Sequence, residues 1–187
     1  MGSIKSYVNI DGVVRMTPLY NSWFDMYQRC TSVRSKSIRP HYKDVSLCDT
    51  WLVFEVFAEW ALKQTGCGDI GFDGCIFQLD KDLLGDGKTY SPTSCCFLPK
   101  EVNSFLQRNL NVRNTTGFTG VSLLPNGKYR ACVRDPRLLR NRHLGCFSSP
   151  EKAHSAYLEA KSEIGKYLAD KYKGLICDAA FLALKDL

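Results

Sequence analysis

Gln78-Leu79-Asp80-Lys81-Asp82-Leu83-Leu84 begins the stretch on which the fold turns, and Tyr90-Ser91-Pro92-Thr93-Ser94-Cys95-Cys96-Phe97-Leu98-Pro99 and then Glu101-Val102-Asn103 complete it. A short apolar run carries acids at its end, the loop Gly85-Asp86-Gly87 follows, Tyr90-Ser91-Pro92 restarts the chain, and Asn103 opens a helix. The predicted order is strand, loop, second short strand, helix.

Toward the N-terminus, Tyr7-Val8-Asn9-Ile10 turns at Asp11-Gly12 into Val13-Val14-Arg15, a hairpin signal. Leu19, Trp23, Met26, Tyr27 and Cys30 recur at helical spacing, which predicts a helix that starts at Thr17, holds Pro18 in its first turn and ends before Ser32. Residues 31–44 read as a basic, serine-bearing loop whose Arg34, Lys36, Arg39 and Lys43 suit a phosphate backbone. Val45-Ser46-Leu47-Cys48 predicts a brief strand, and Asp49 or Thr50 caps a helix through Trp51, Phe54, Phe57 and Trp60. That aromatic stripe is a core face rather than a stacking platform. The glycines from Gly66 to Gly74 lack the Lys-Ser/Thr ending of a phosphate-binding loop and read as a turn.

Toward the C-terminus, residues 107–116 are polar and free of aromatics, so a division into residues 1–108, a linker at 109–116 and residues 117–187 is expected. Residues 117–124, 128–135 and 142–147 predict three short strands, the first two joined at Pro125-Asn126-Gly127. Ser148 or Ser149 then caps a helix with Pro150 at its first position and an apolar face of Ala153, Ala156, Tyr157, Ala160, Ile164 and Leu168. The fold class expected is α+β. Residues 175–187 are apolar enough to dock on a protein partner or a second copy, or to pack back as a helix on their own domain.

The chain has 187 residues, enough for one domain or two small ones, and a formal net charge of +6 that is unevenly spread. Arg29, Arg34, Lys36, Arg39 and Lys43 form one group and Lys128, Arg130, Arg134, Arg137, Arg140 and Arg142 another, with few acids among them, which suits a polyanion because each phosphate neutralised releases counterions. There is no apolar run of membrane-spanning length and no signal-peptide pattern, so a soluble cytoplasmic protein with no membrane partner is expected. The nine cysteines are odd in number and contain no Cys-x-x-Cys, which fits reduced thiols. No zinc site is expected; Cys30, Cys48 and His41 are the only group in one region that could supply one.

The Gln78–Asn103 stretch resembles the ββα-metal core of HNH-type endonucleases, in the variant common in phage and mobile-element proteins, and the aromatic prelude from Trp23 to Trp60 strengthens the likeness. The resemblance implies a DNA endonuclease with one Mg²⁺ or Mn²⁺ ion, working in a host cytoplasm if phage-encoded. Laid on that pattern, Asp80 takes the metal-ligand Asp and Asn103 the terminal ligand, while Lys81 stands where the family has its general-base His and Ser94 where it has a middle Asn. A lysine of ordinary pKa, about 10.4, binds phosphate as a cation but does not remove a proton at neutral pH. His41 and Asp82 are the alternatives for that role.

Residues 117–172, with Gly-Val, a turn, Tyr-Arg-Ala, Leu-Gly-x-Phe and Glu-x-Ala-x-x-Ala-Tyr in order, are similar to the Apetala or ethylene-response-factor DNA-binding domain. That likeness implies a sheet whose outward face enters the major groove of double-stranded DNA. The matching positions are Thr119, Ser122, Leu124, Asn126, Arg130, Cys132, Arg134, Asn141 and His143, with Arg137, Arg140 and Arg142 facing phosphates or guanine edges. Period-two alternation makes the same division from the residues: with Tyr129, Ala131 and Val133 under the helix, Arg130, Cys132 and Arg134 point away. Three functions compete: a metal-dependent endonuclease, a DNA-binding protein whose nuclease core has decayed and which regulates phage genes or occludes host machinery, and a protein-binding inhibitor that borrows nucleic-acid folds.

Overall fold

A computed structural model describes residues 4–107 and 114–187. The chain divides into two compact units, one of residues 1–100 with 174–180 and one of residues 101–173 with 181–187. Of the linker expected at 109–116, residues 109–113 lie outside the described residues.

In the first unit, β1 (Tyr7–Ile10) and β2 (Val13–Met16) form the hairpin expected at Asp11-Gly12. Helix α1 (Pro18–Thr31) starts where the sequence places it: the Thr17 side chain accepts the Tyr20 N–H and Pro18 fills the first position. The basic segment that reads as a loop is instead helix α2 (Val33–Ile38) followed by a 3₁₀ turn at Pro40–Tyr42. The reason is local, since the Ser32 hydroxyl accepts the Ser35 N–H and restarts the helix one residue after α1 ends. β3 (Ser46–Leu47) leads to a 3₁₀ turn at Asp49–Leu52, and an extended Val53 separates it from α3 (Phe54–Ala61), so the single predicted helix is broken in two. The aromatic stripe is core: Trp51 and Phe57 are fully buried, and the Trp23 indole N–H donates to the Trp51 carbonyl at 2.8 Å.

β4 (Gln78–Asp80) pairs antiparallel with β6 (Cys96–Leu98), and between them β5 (Thr89–Tyr90) leaves to pair in parallel with β3. Helix α4 (Lys100–Leu106) follows β6 directly. The strand-loop-strand-helix order is therefore present, with Asn103 inside the helix rather than at its start.

In the second unit, β7 (Val121–Leu123), β8 (Tyr129–Asp135) and β9 (Arg140–Phe147) form a three-stranded antiparallel sheet in chain order, and α5 (Pro150–Lys171) packs across it. Ser149 caps α5 and Pro150 takes its first position, as the sequence implies. Val121, Ala131 and Ala153 form the core, flanked by Phe118, Tyr129, Leu144 and Phe147. Gly120 is obligatory: its φ is +75°, and a Cβ there would stand 2.1 Å from the Tyr157 ring. Asn114 staples the entry to the sheet by donating to the carbonyls of Phe118 and Val121. The chain ends in α6 (Asp178–Lys185); Ile176, Ala180 and Leu184 are buried and Leu182 is exposed. No helix among the described residues is long and apolar enough to cross a membrane.

Candidate nucleic-acid interface and the acid-bearing hairpin

Alternation along β8 sorts its side chains cleanly. Ala131, Val133 and Asp135 are buried under α5, while Arg130 and Arg134 are exposed on the other face. Ser122 lies opposite Arg130 in the ladder and accepts from its Nε at 3.3 Å. Cys146 also pairs with Arg130, and Asn141 with Arg134, so these side chains share the outward face.

Between Ala131 and Cys132 the register slips. Ala131 faces Gly145 but Cys132 faces His143, leaving Leu144 as an extra residue on β9. The bulge turns His143 and Asn141 outward and Arg142 inward. His143 is exposed, with its Nδ1 3.8 Å from the Cys132 Sγ.

Arg137 and Arg142 are committed elsewhere. Arg137 donates through Nε and a terminal nitrogen to both oxygens of Asp135, at 2.9 and 2.7 Å, and through its other nitrogen to Glu163 on α5 at 2.8 Å. Arg142 reaches the second Glu163 oxygen at 2.8 Å and Asp135 at 3.4 Å. These hydrogen bonds hold the Asp135 carboxyl below the ordinary carboxylate range, and those from Arg142 and Arg137 bring Glu163 down to about 2. The arginines expected at phosphates thus include two that hold the sheet's inner end to its helix. Arg140 begins β9 exposed, and Asn126 is spent in its turn, accepting the Lys128 N–H at 3.1 Å. Thr119 and Leu124 are half-buried at the ends of β7.

In the first unit Asp80 is buried at the end of β4, and its Oδ2 accepts the N–H groups of Asp82 and Leu83 at 2.9 and 2.8 Å, closing the turn. Burial pushes its carboxyl up, against the lowering by the Leu83 and Asp82 amides. Lys81 is 6% exposed, and its ammonium pairs with Asp82 at 2.6 Å. Ser94 staples the loop: its hydroxyl donates to the Thr89 carbonyl at 2.6 Å and accepts the Ser91 N–H at 3.1 Å. Gly85 packs on it so closely that a Cβ would stand 2.7 Å from the Ser94 Cβ. Asn103 is half-buried in α4 and belongs to the second unit.

Mg²⁺ and Mn²⁺ want several hard oxygen donors, carboxylates foremost. Asp80 offers one carboxylate already engaged by two amides, the neighbouring Asp82 is paired with an ammonium, and no group of three or more His, Cys, Asp or Glu converges as ligands among the described residues. Asp80 is left as the candidate ligand of this hairpin, and water and a bound phosphate would have to supply the remaining oxygens of such an ion. Arg34 and Arg39 are exposed on and just after α2, with Lys36 half-buried between them.

Three residues to which the sequence assigns no site role also gather here. Arg29 of α1 lies 5.5 Å from the Tyr42 ring centroid, and the Lys81 ammonium lies 5.8 Å from the same centroid and 5.6 Å from that of Tyr90. Only Arg29, as part of a basic group, carries a sequence signal, because the pairing of β3 with β5 is what brings Tyr42 and Tyr90 together. A scan against protein-family models returned no match, and neither did searches among curated proteins and solved structures.

Proposed function

We propose that the chain binds double-stranded DNA through the outward face of β7, β8 and β9. The observation that carries this reading is the placement of Arg130 and Arg134, exposed and unburdened by carboxylates, beside Ser122, Asn141 and His143 on the face opposite α5. A three-stranded sheet is narrow enough to enter a major groove, and arginine is the side chain best suited to both guanine edges and phosphates. Fluorescence anisotropy of a labelled duplex, titrated at several salt concentrations, tests it. Binding should weaken steeply with salt and fall in Arg130→Ala and Arg134→Ala; affinity that is equal at low and high salt removes the reading.

The order of β4, β6 and α4 favours a second reading, that the protein is a metal-dependent, HNH-like endonuclease whose site selection is left to the sheet. Its test is plasmid nicking in Mg²⁺ or Mn²⁺, lost in Asp80→Ala. DNA binding without any cut under either ion leaves a DNA-binding protein alone.

A further inference from the structure

We propose that the first unit holds a phosphate oxyanion between Arg29 of α1 and Lys81 at the end of β4, with Tyr42 and Tyr90 as walls and hydroxyl donors. Burying an ammonium is costly unless the charge is matched. Lys81 is nonetheless one of the few buried charged side chains among the described residues. Its carboxylate partner, Asp82, sits with 60% of its side chain exposed, so it is the partner with freedom to leave.

Arg29 brings a second cation to the same rings. Its guanidinium bonds the Tyr90 hydroxyl, yet its Nε is buried with no hydrogen-bond partner. A buried N–H without an acceptor is left desolvated and unpaired, and an incoming oxygen relieves that. The Cys30 thiol reports the same field: burial pushes it up, while the charges of Lys36, Lys81 and Arg29 pull it down.

Asp82 apart, the groups that line this cluster carry hydrogens to give, the Arg29 Nε–H, the Lys81 ammonium and the two phenols, and the two cations outweigh the one mobile carboxylate. Such a lining calls for an anion rich in acceptors, and the several directions of approach suit the four oxygens of phosphate better than a flat carboxylate. Tyr42 and Arg29 are half-buried and Asp82 is exposed, so the cluster borders solvent. Asp82, paired with the Lys81 ammonium, holds the position that the phosphate takes. The source is either a phosphodiester of nucleic acid or a free phosphate-bearing molecule.

The probe is inorganic phosphate, titrated into the full chain by calorimetry at constant ionic strength, with chloride as the balancing salt. Wild type should bind phosphate, and Lys81→Met and Arg29→Met should each lose about tenfold in affinity or more, the scale of a charge-assisted hydrogen bond. Asp82→Asn should bind several-fold tighter, because it removes the competing charge and keeps the lysine. Thermal melts without phosphate check folding; if Lys81→Met is unfolded, Asp82→Asn and Arg29→Met decide. No phosphate heat beyond chloride in wild type, or unchanged affinity in both Asp82→Asn and Arg29→Met, overturns the site. The inference stands apart from the sheet reading, since Arg130→Ala should leave the phosphate titration unmoved. Adding duplex DNA to the phosphate-loaded Arg130→Ala protein separates the sources: release assigns the site to a nucleic-acid backbone, retention to a free phosphate compound.

Discussion

Arg134 and Arg142 stand at the same end of one sheet and do opposite things. Arg134 projects into solvent from β8, while Arg142, on the neighbouring strand, turns under the sheet and shares Glu163 and Asp135 with Arg137. The difference is one of parity: a single extra residue, Leu144, shifts the β9 ladder so that His143 faces out and Arg142 faces in. A cluster of basic residues in a sequence is therefore not one surface. Each cation is sorted by strand register into ligand contact or internal support.

The largest test of that sorting is at the buried acid. Asp135→Ala should cost about 3 to 5 kcal/mol, because it strips two arginines of a buried carboxylate, read as a drop in the urea midpoint at unchanged slope. If the loss is under about 1 kcal/mol, the ion network is ornamental and Arg137 and Arg142 return as candidates for DNA contact. Next, Arg130→Ala and Arg134→Ala should each lose about 1 to 3 kcal/mol of affinity if they read base edges, or about one unit of salt slope if they touch phosphate. Their stability should stay within about 0.5 kcal/mol of wild type in the same urea assay.

Glu163→Gln gives a smaller effect with a definite pH signature. The glutamate falls from an ordinary 4.5 to about 2 on folding, so its stabilisation is present above the unfolded value and disappears as pH falls from 4.5 toward 2. The variant should lose under about 1 kcal/mol at neutral pH and show a flatter acid limb in that window. It should also bind duplex slightly more tightly, since Arg137 and Arg142 are partly released. The smallest expected effect is protection: maleimide labelling of Cys146, exposed beside Arg130 in the ladder, should slow when duplex is present. Unchanged labelling would place the DNA elsewhere.

How much of this could be read in advance depends on whether the deciding forces were local. The Thr17 and Ser149 caps with Pro18 and Pro150, and the alternation of β8, rest on neighbours in sequence and read directly. The α2 helix was masked because its serines and cations look like a loop until one sees that Ser32 both ends α1 and caps α2. The bulge at Leu144 has one mark in the sequence, the isolated Gly145 inside the strand with its φ of +133°, but which residue it displaces is a property of two paired strands. At the hairpin, Asp80, Lys81 and Ser94 stood out by residue type alone. What their side chains do, closing a turn, sitting among tyrosines and stapling a loop, follows from partners distant in sequence or from backbone geometry. Tyr42 and Tyr90 became a pair only through the parallel pairing of β3 and β5.

The division of the chain bears on how the protein is made. The first unit takes in residues 174–180, which leave the ribosome after most of the second unit. The early part must therefore wait, incomplete, while the later part is synthesised, and a fragment stopped at residue 100 should carry exposed apolar surface and aggregate more readily than the whole chain.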